Sequence, residues 1–410
     1  MSERQARTFL TNATVVDGDS IEVHQQFTVI IEDECIVWVG PSAEAEAPGA
    51  ADTEIDLTGK TLLPGFMDAH VHLSSTGGLN PASTLHEPET MGIYRGVWNL
   101  GVTLDAGVTM VRDLAGTDYS AVLAVQQGLV RGPNIVTAVS AVGPTAGHSD
   151  FRTLSVPFGY HAGRDGVLPN IADDVTEAKR VSRELIRVGA GVIKVMATGG
   201  VWSPRDAPEH VGLGIDEMHA IVQEANNRGI YVAAHAQGAE GIKNALRAGI
   251  KSIEHGYLID DEGIELMLEK DAWLVPTLTT GTTPPDPKKA TPYAVEKKNR
   301  VRAQLQENVS KAFAAGVKVA LGTDCGVVPH GQNLREIGLM VDLGLDPMTA
   351  IQAGTSSAAR LLGVHETRGV IRQGMIADLA VTSINPITNP HGLGDPANIT
   401  HVFQAGKQVK

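Results

Sequence analysis

The chain has 410 residues, with 33 Lys and Arg against 47 Asp and Glu, a formal net charge of −14 at neutral pH. This acidic balance excludes sequence-independent binding to nucleic acid, which requires a basic surface, and 42% hydrophobic against 20% charged residues excludes global disorder. The length suits one large domain with a smaller companion, because single α/β barrels reach about 250 residues.

The chain opens on MSERQARTFL, which has neither the apolar core nor the small-residue cleavage site of a signal peptide. No apolar run approaches the ~20 residues of a membrane span. The two cysteines, Cys35 and Cys325, suit a reducing compartment, so the expected location is cytoplasmic. TFLTNATVVDG, IEVHQQFTVIIEDECIVWVG and EIDLTGKTLLPG then read as strands punctuated by Asp-Gly, Gly-Pro and Thr-Gly turns. At the other end, GVIRQGMIADLAVTSINP and NITHVFQAGKQV read the same way. Neither end carries enough strand to bury a core by itself. The expectation is a small composite β-sandwich built from residues 1–61 and 367–410, packed on residues 62–366.

Between the two ends one phrase recurs: a helical segment, a glycine, then a short β-branched run. It appears as LDAGVTMVRDL, RVGAGVIKVMATGG, NNRGIYVAAHA, RAGIKSIEHG and AAGVKVALGTD. The glycine is expected to end each helix in the left-handed conformation, and the run after it to be a strand buried on both faces. The preceding segments carry helical spacing, as in Val175, Ala178, Val181 and Leu185, or Met218, Ile221, Val222 and Ala225. With TLLPGFMDAHVH, PNIVTAVSAV and AWLVPTL there are eight strand candidates between about residues 62 and 324. Eight strands alternating with helices predict a (β/α)8 TIM barrel. An open doubly wound sheet competes, but no GxGxxG opens the first helix.

In a barrel, chemistry sits at the C-terminal ends of the strands. The first candidate strand ends in His70 and His72, the second in Asp113, the fifth in His235, the sixth in His255 and the eighth in Asp324, while the fourth carries Lys194. The period of two puts His70 and His72 on one face, where both imidazoles can reach one metal. One strand-end histidine alone is more simply a hydrogen-bonded core residue; four histidines and an aspartate at four strand ends point to a metal site. Asp113, next to Arg112, reads as a support for a ligand or a salt-bridge partner. Lys194 lies in the apolar run GVIKVMA, where burial penalises its ammonium. Two readings follow: a lysine paired with a carboxylate such as Asp113, or a neutral amine that takes up CO₂ as a carbamate able to bridge two divalent metals. The second balances charge better, since two M²⁺ ions need anionic partners.

The motifs PGFMDAHVH, Lys194, His235, His255, LGTD with Asp324, and the return strand ADLAV closely resemble the amidohydrolase superfamily over essentially the whole chain. The resemblance implies a binuclear site, usually zinc, with one metal on His70, His72 and Asp324, the other on His235 and His255, and carboxylated Lys194 bridging them. KVMATGG, AAHAQGAEGI and SIEHG are similar to a subgroup that contains Xaa-Pro and Xaa-Arg/Lys dipeptidases and ochratoxin-hydrolysing amidases. The implied reaction is attack of a metal-bridging hydroxide on an amide carbonyl, with Asp324 as general base and then acid. A cyclic-amide hydrolase or deaminase of imidazolonepropionase type is the alternative on the same scaffold, and a catalytically dead scaffold protein is disfavoured because all six ligand positions are intact.

Selectivity is expected from the loops that follow the strands. GPTAGHSDFRTLSVPFGYHAGR carries His148, which resembles the carbonyl-polarising or carboxylate-binding histidine of the subgroup; an ordinary loop hydrogen bond competes. Tyr257 could donate to a substrate carboxylate or simply pack, and Ser74, Val201 and His330 are placed to line the pocket. Val201, Trp202 and Val327 favour a hydrophobic leaving residue. The Lys/Pro-rich stretch 284–298 reads as a solvated loop. The expected substrate is a small amide with a free carboxylate, a dipeptide or N-acyl amino acid, including ochratoxin-like N-acyl-phenylalanine. The resemblance further implies a large homo-oligomer, with an octamer as one form, while the acidic balance and the lack of a long apolar run lead to the expectation of no nucleic-acid or membrane partner.

Overall fold

The computed structural model describes residues 6–75, 88, 90–150 and 170–410. The N-terminal strands are β1 (Arg7–Val16), β2 (Val23–Glu32), β3 (Cys35–Pro41), β4 (Thr53–Asp56) and β5 (Thr61–Pro64). The middle of the chain carries β6 (Phe66–Val71), β7 (Val108–Asp113), β8 (Asn134–Thr137), β9 (Ala141–Val142), β10 (Ile193–Met196), β11 (Val232–Gly238), β12 (Ser252–Leu258), β13 (Trp273–Val275) and β14 (Lys318–Val319). The C-terminal strands are β15 (Leu379–Thr382), β16 (Ile399–Gln404) and β17 (Lys407–Gln408).

Both ends of the chain share one sheet, ordered β17-β16-β15-β5-β1-β2-β3, with β4 pairing β1 as well. β1 borrows three partners: β2 along its length on one edge, and β4 then β5 on the other. Leu10, Val15, Val29, Ile31, Leu62, Leu379, Val381 and Phe403 form its separate apolar core. The expected first strand TLLPGFMDAHVH divides at Gly65. Thr61–Pro64 pairs antiparallel with β15, while Phe66–Val71 turns to β7. A Cβ at Gly65 would lie 2.4 Å from the Thr109 hydroxyl, so only glycine allows the crossing.

The parallel strands run β6-β7-β8 and β9-β10-β11-β12-β13-β14. β8 and β9 are one chain segment bent at Val139 (φ 63°), which joins the two sheets. On the far side, Ala69 N–H donates to Leu321 C=O (2.8 Å), Asp324 N–H to His70 C=O (2.7 Å) and His72 N–H to Cys325 C=O (2.7 Å), tying the eighth strand to the first. Together these hydrogen bonds complete the ring of a (β/α)8 barrel. The expected helix-ending glycines Gly107, Gly189, Gly229, Gly249 and Gly316 all have φ between 70° and 100°.

The helices are α1 (Met91–Asp105), α2 (Tyr119–Gln126), α3 (Val175–Arg187), α4 (Ile215–Asn226), α5 (Ala239–Ala248), α6 (Asp261–Glu269), α7 (Leu278–Thr282), α8 (Pro292–Ala314), α9 (Arg335–Asp342), α10 (Pro347–Ala353) and α11 (Ser356–Leu362). In α3, Ala178, Val181 and Leu185 are buried, and in α4, Met218, Ile221, Val222 and Ala225. The expected solvated loop at 284–298 gives way to a helix at Pro292. Proline suits the first helical turn, where its missing N–H has no partner to lose, and the following residues bury an apolar face. Of the expected third-strand loop, residues 151–164 lie outside the described residues.

Candidate active site

His70 comes from β6, where every residue is buried. Its Nδ1 lies 2.8 Å from Glu254 Oε2, and its Nε2 lies 3.6 Å from Asp324 Oδ1. His72, one residue past β6, hydrogen-bonds Ala115 C=O through Nδ1 (2.9 Å) and approaches the same Asp324 oxygen through Nε2 (3.2 Å). His255 on β12 bonds Thr277 Oγ1 through Nδ1 (2.8 Å). His235 on β11 bonds Gly199 C=O through Nε2 (3.0 Å), which leaves its Nδ1. Ring centroids are 5.0 Å apart for His70 and His255, 4.6 Å for His235 and His255, and 5.4 Å for His70 and His72. Ligand atoms of His70, His255 and Asp324 all lie within 4.8 Å of one another. This donor set fits a divalent metal: each imidazole has one nitrogen committed to a protein partner and the other available.

Burial pushes His70, His235 and His255 well below the usual imidazole range, and Lys194 with the neighbouring rings adds to the effect. They are therefore neutral, the form that binds metal. For Asp324, burial works toward protonation but His72, His70 and Lys194 outweigh it and hold the carboxyl below its usual range. Burial lowers Lys194 to about 8, against the opposing pull of Glu254 and Asp324. Positive φ values at His255 (74°), Asp324 (59°) and Thr277 (47°) place backbone strain of about 1–3 kcal/mol per residue at these strand ends.

Lys194 has no ion-pair partner among the described residues. Asp113 is not its mate: it accepts from Leu73 N–H (2.7 Å), Thr117 Oγ1 (2.7 Å) and Ala115 N–H (3.2 Å), fixing the chain just past His72. Nor does Asp113 pair with Arg112. Neighbours on a strand face opposite ways, and Arg112 donates instead to Glu254 Oε1 (2.8 Å), Ser252 Oγ (3.1 Å) and Ala69 C=O (2.6 Å). Sequence reasoning missed Glu254 and Arg112. The signal existed, since both are charged residues inside buried strands, the same feature that singled out Lys194.

His148 stacks on His235 with ring centroids 4.5 Å apart and 25° between planes. Its Nδ1 lies 2.9 Å from Ser203 Oγ and 3.7 Å from Asp206 Oδ2. Asp206 also accepts from Gly200 N–H at 3.1 Å. Nothing in the loop sequence marked Ser203 or Asp206. From α8, Lys297 Nζ donates to Ser203 C=O (2.7 Å) and Gly200 C=O (3.4 Å), and Tyr293 OH to Trp202 C=O (3.2 Å), so the helix pins the loop beneath His148. Val201 is buried in the same loop.

Each of the remaining candidates has a hydrogen-bond partner within the protein. The Tyr257 hydroxyl is buried against Thr277 (2.7 Å to Oγ1), so it steadies the residue that holds His255. His330 bonds Thr103 Oγ1 (3.0 Å) and His72 C=O (3.3 Å) and backs the first strand. Ser74 Oγ donates to Gly116 C=O at 2.7 Å.

Residues 61–409 match the amidohydrolase family. Ochratoxinase from Aspergillus niger is 33% identical over 98% of this chain and 86% of its own length. A Xaa-Pro dipeptidase crystallised with bound methionine superposes with a TM-score of 0.90 at 30% identity, covering 99% of this chain and 100% of its own. A prolidase complexed with N-methylphosphonate-L-proline gives 0.90 at 32%, again over 99% and 100%. Imidazolonepropionase from Nocardia farcinica is more distant, at 25% identity over 90% of this chain and 88% of its own length.

Proposed function

The chain belongs to the amidohydrolase family, and from that premise we propose that it hydrolyses the amide bond of dipeptides or N-acyl amino acids, ochratoxin-like N-acyl-phenylalanines included. The observation that carries this reading is the convergence of His70, His72, His255 and Asp324, with one Asp324 oxygen facing both first-strand histidines. His70, His72 and Asp324 would hold one divalent metal, His235 and His255 a second, and carboxylated Lys194 would join them; zinc suits the imidazole-rich set. When bound, such metals acidify water and polarise a carbonyl.

The chain's own groups supply the rest. Asp324, kept ionised by its neighbours, accepts the proton of the attacking water and returns it to the leaving amine. His148, held at Nδ1 by the Ser203 and Asp206 side, turns its other nitrogen to the substrate. Val201 contributes an apolar wall for a hydrophobic leaving residue. A buried Lys194 without a carboxylate mate supports the carbamate. Tyr94 and Trp98, exposed on α1, supply apolar surface for a homo-oligomer, and the two free cysteines favour a reducing, cytoplasmic setting.

The test is a panel of dipeptides and N-acyl amino acids incubated with zinc-loaded enzyme, with amine release as the readout. Cleavage of at least one N-acyl-phenylalanine or dipeptide is expected, and Asp324→Asn should keep most of its metal while kcat falls by about 10²–10⁴. Wild-type turnover in Asp324→Asn would refute the proton path. Activity confined to cyclic amides, with Lys194→Ala still active on one tightly held metal, would favour the cyclic-amide alternative.

A further inference from the structure

We propose that Lys298 anchors the carboxylate of the substrate's leaving amino acid. The proposal rests on the reading of the chain as a dipeptide or N-acyl amino acid hydrolase, and it names the residue that selects for that class.

Lys298 lies on the wrong face of α8 for a solvated lysine. The stripe that the helix buries is Ala294, Val301, Leu305 and Val309, none more than 1% exposed, and Lys298 falls on it at the four-then-three spacing of a helix. It is 5% exposed, the same as His235 in the metal cluster. An ammonium is costly to bury unless an anion and further acceptors meet it. Among the described residues Lys298 finds one acceptor, the carbonyl oxygen of Thr280, and no carboxylate within ion-pair distance. That leaves two of its three donors for a ligand.

Thr280 ties Lys298 to the metal-site side of the barrel. Its hydroxyl donates to Thr323 C=O (3.0 Å) and is 3.3 Å from Asp324 C=O, so the residue that holds Lys298 is fastened to the strand end that presents Asp324. Two other cations near the site are spoken for. Arg112 is saturated by Glu254, Ser252 and Ala69, and Lys297 is turned toward the loop carbonyls. The molecule as a whole carries −14 and repels a carboxylate substrate, so a local positive charge favours its recognition. Burial lowers Lys298 only to about 8, which leaves it mostly protonated at neutral pH.

The experiment compares an N-acyl-L-phenylalanine with its C-terminal carboxamide on wild type, Lys298→Met and Lys298→Gln, with zinc content and thermal midpoint recorded. The wild type is expected to prefer the acid, and both variants to lose about 10²-fold in kcat/KM on the acid while changing less than about threefold on the carboxamide. Calorimetric binding of L-phenylalanine should weaken in both variants, with L-phenylalaninamide unaffected. Equal losses on acid and carboxamide, or a retained acid preference, would overturn the anchor and leave the amidase reading intact. Failure of the wild type to cleave either compound or any member of the wider panel would overturn both. If neither variant folds, the ¹⁵N resonance of Lys298 Nζ in the wild type decides: it should move with L-phenylalanine and stay put with the amide, and the reverse counts against the proposal.

Discussion

Glu254 shows how much one buried side chain can govern. Its two carboxylate oxygens face His70 Nδ1, Arg112 Nη2 and Ser252 Oγ, at 2.8, 2.8 and 2.6 Å, with no solvent exposure. A carboxylate on Nδ1 fixes the His70 tautomer so that Nε2 carries the lone pair. Replacing Glu254 with Gln is expected to weaken metal binding by about 10–100-fold in a chelator competition. It should also lower stability, because Arg112 is left without its anion. Ser252→Ala, which spares the Glu254 contacts to His70 and Arg112, should bind metal nearly as wild type does. Metal affinity unchanged in Glu254→Gln would mean that the carboxylate serves the barrel alone. Lys194 and Glu254 carry the same mark in the sequence, a charge within a buried strand. What His70 touches was not legible, because its partner is 184 residues away.

At the level of elements, α8 and the loop at 199–206 act together. Lys297 and Tyr293 hold the loop carbonyls, and the loop in turn holds His148 from below. Gly200 is the tight point, since a Cβ there would lie 2.3 Å from Cε1 of the His148 ring. Gly200→Ala is therefore expected to displace the imidazole and lower kcat/KM by about 10²-fold, with metal content unchanged. Wild-type kinetics in that variant would show that His148 does not need this position. A lysine- and proline-rich stretch reads as loop by composition alone. Its helix, from Pro292 onward, depends on an apolar stripe that only packing against the barrel rewards.

For the whole molecule, burying lysines leaves a trace in the pH dependence of stability. The Lys298 pKa is about 8 in the fold against 10.5 for the free side chain, so the unfolded chain binds the extra proton between those values. Wild-type stability should gain from this group as pH rises through that window, by about 3 kcal/mol. Lys298→Met lacks the effect, and its stability relative to wild type should therefore be most favourable below pH 8 and fall toward pH 10.5. Denaturant titrations at pH 7 and 10 measure it, and parallel curves would contradict a buried ammonium. The sequence by itself determined the alternation of helix, glycine and strand, the strand character of the two ends, and which residues stand at each strand end. Those are local properties of hydrophobic period and glycine placement. Only the tertiary structure decided which strand-end groups meet, that Glu254 rather than Asp113 takes Arg112, and that Lys298 faces inward. Contacts across a closed barrel follow from the stagger of strands around the ring, and no window of sequence contains it.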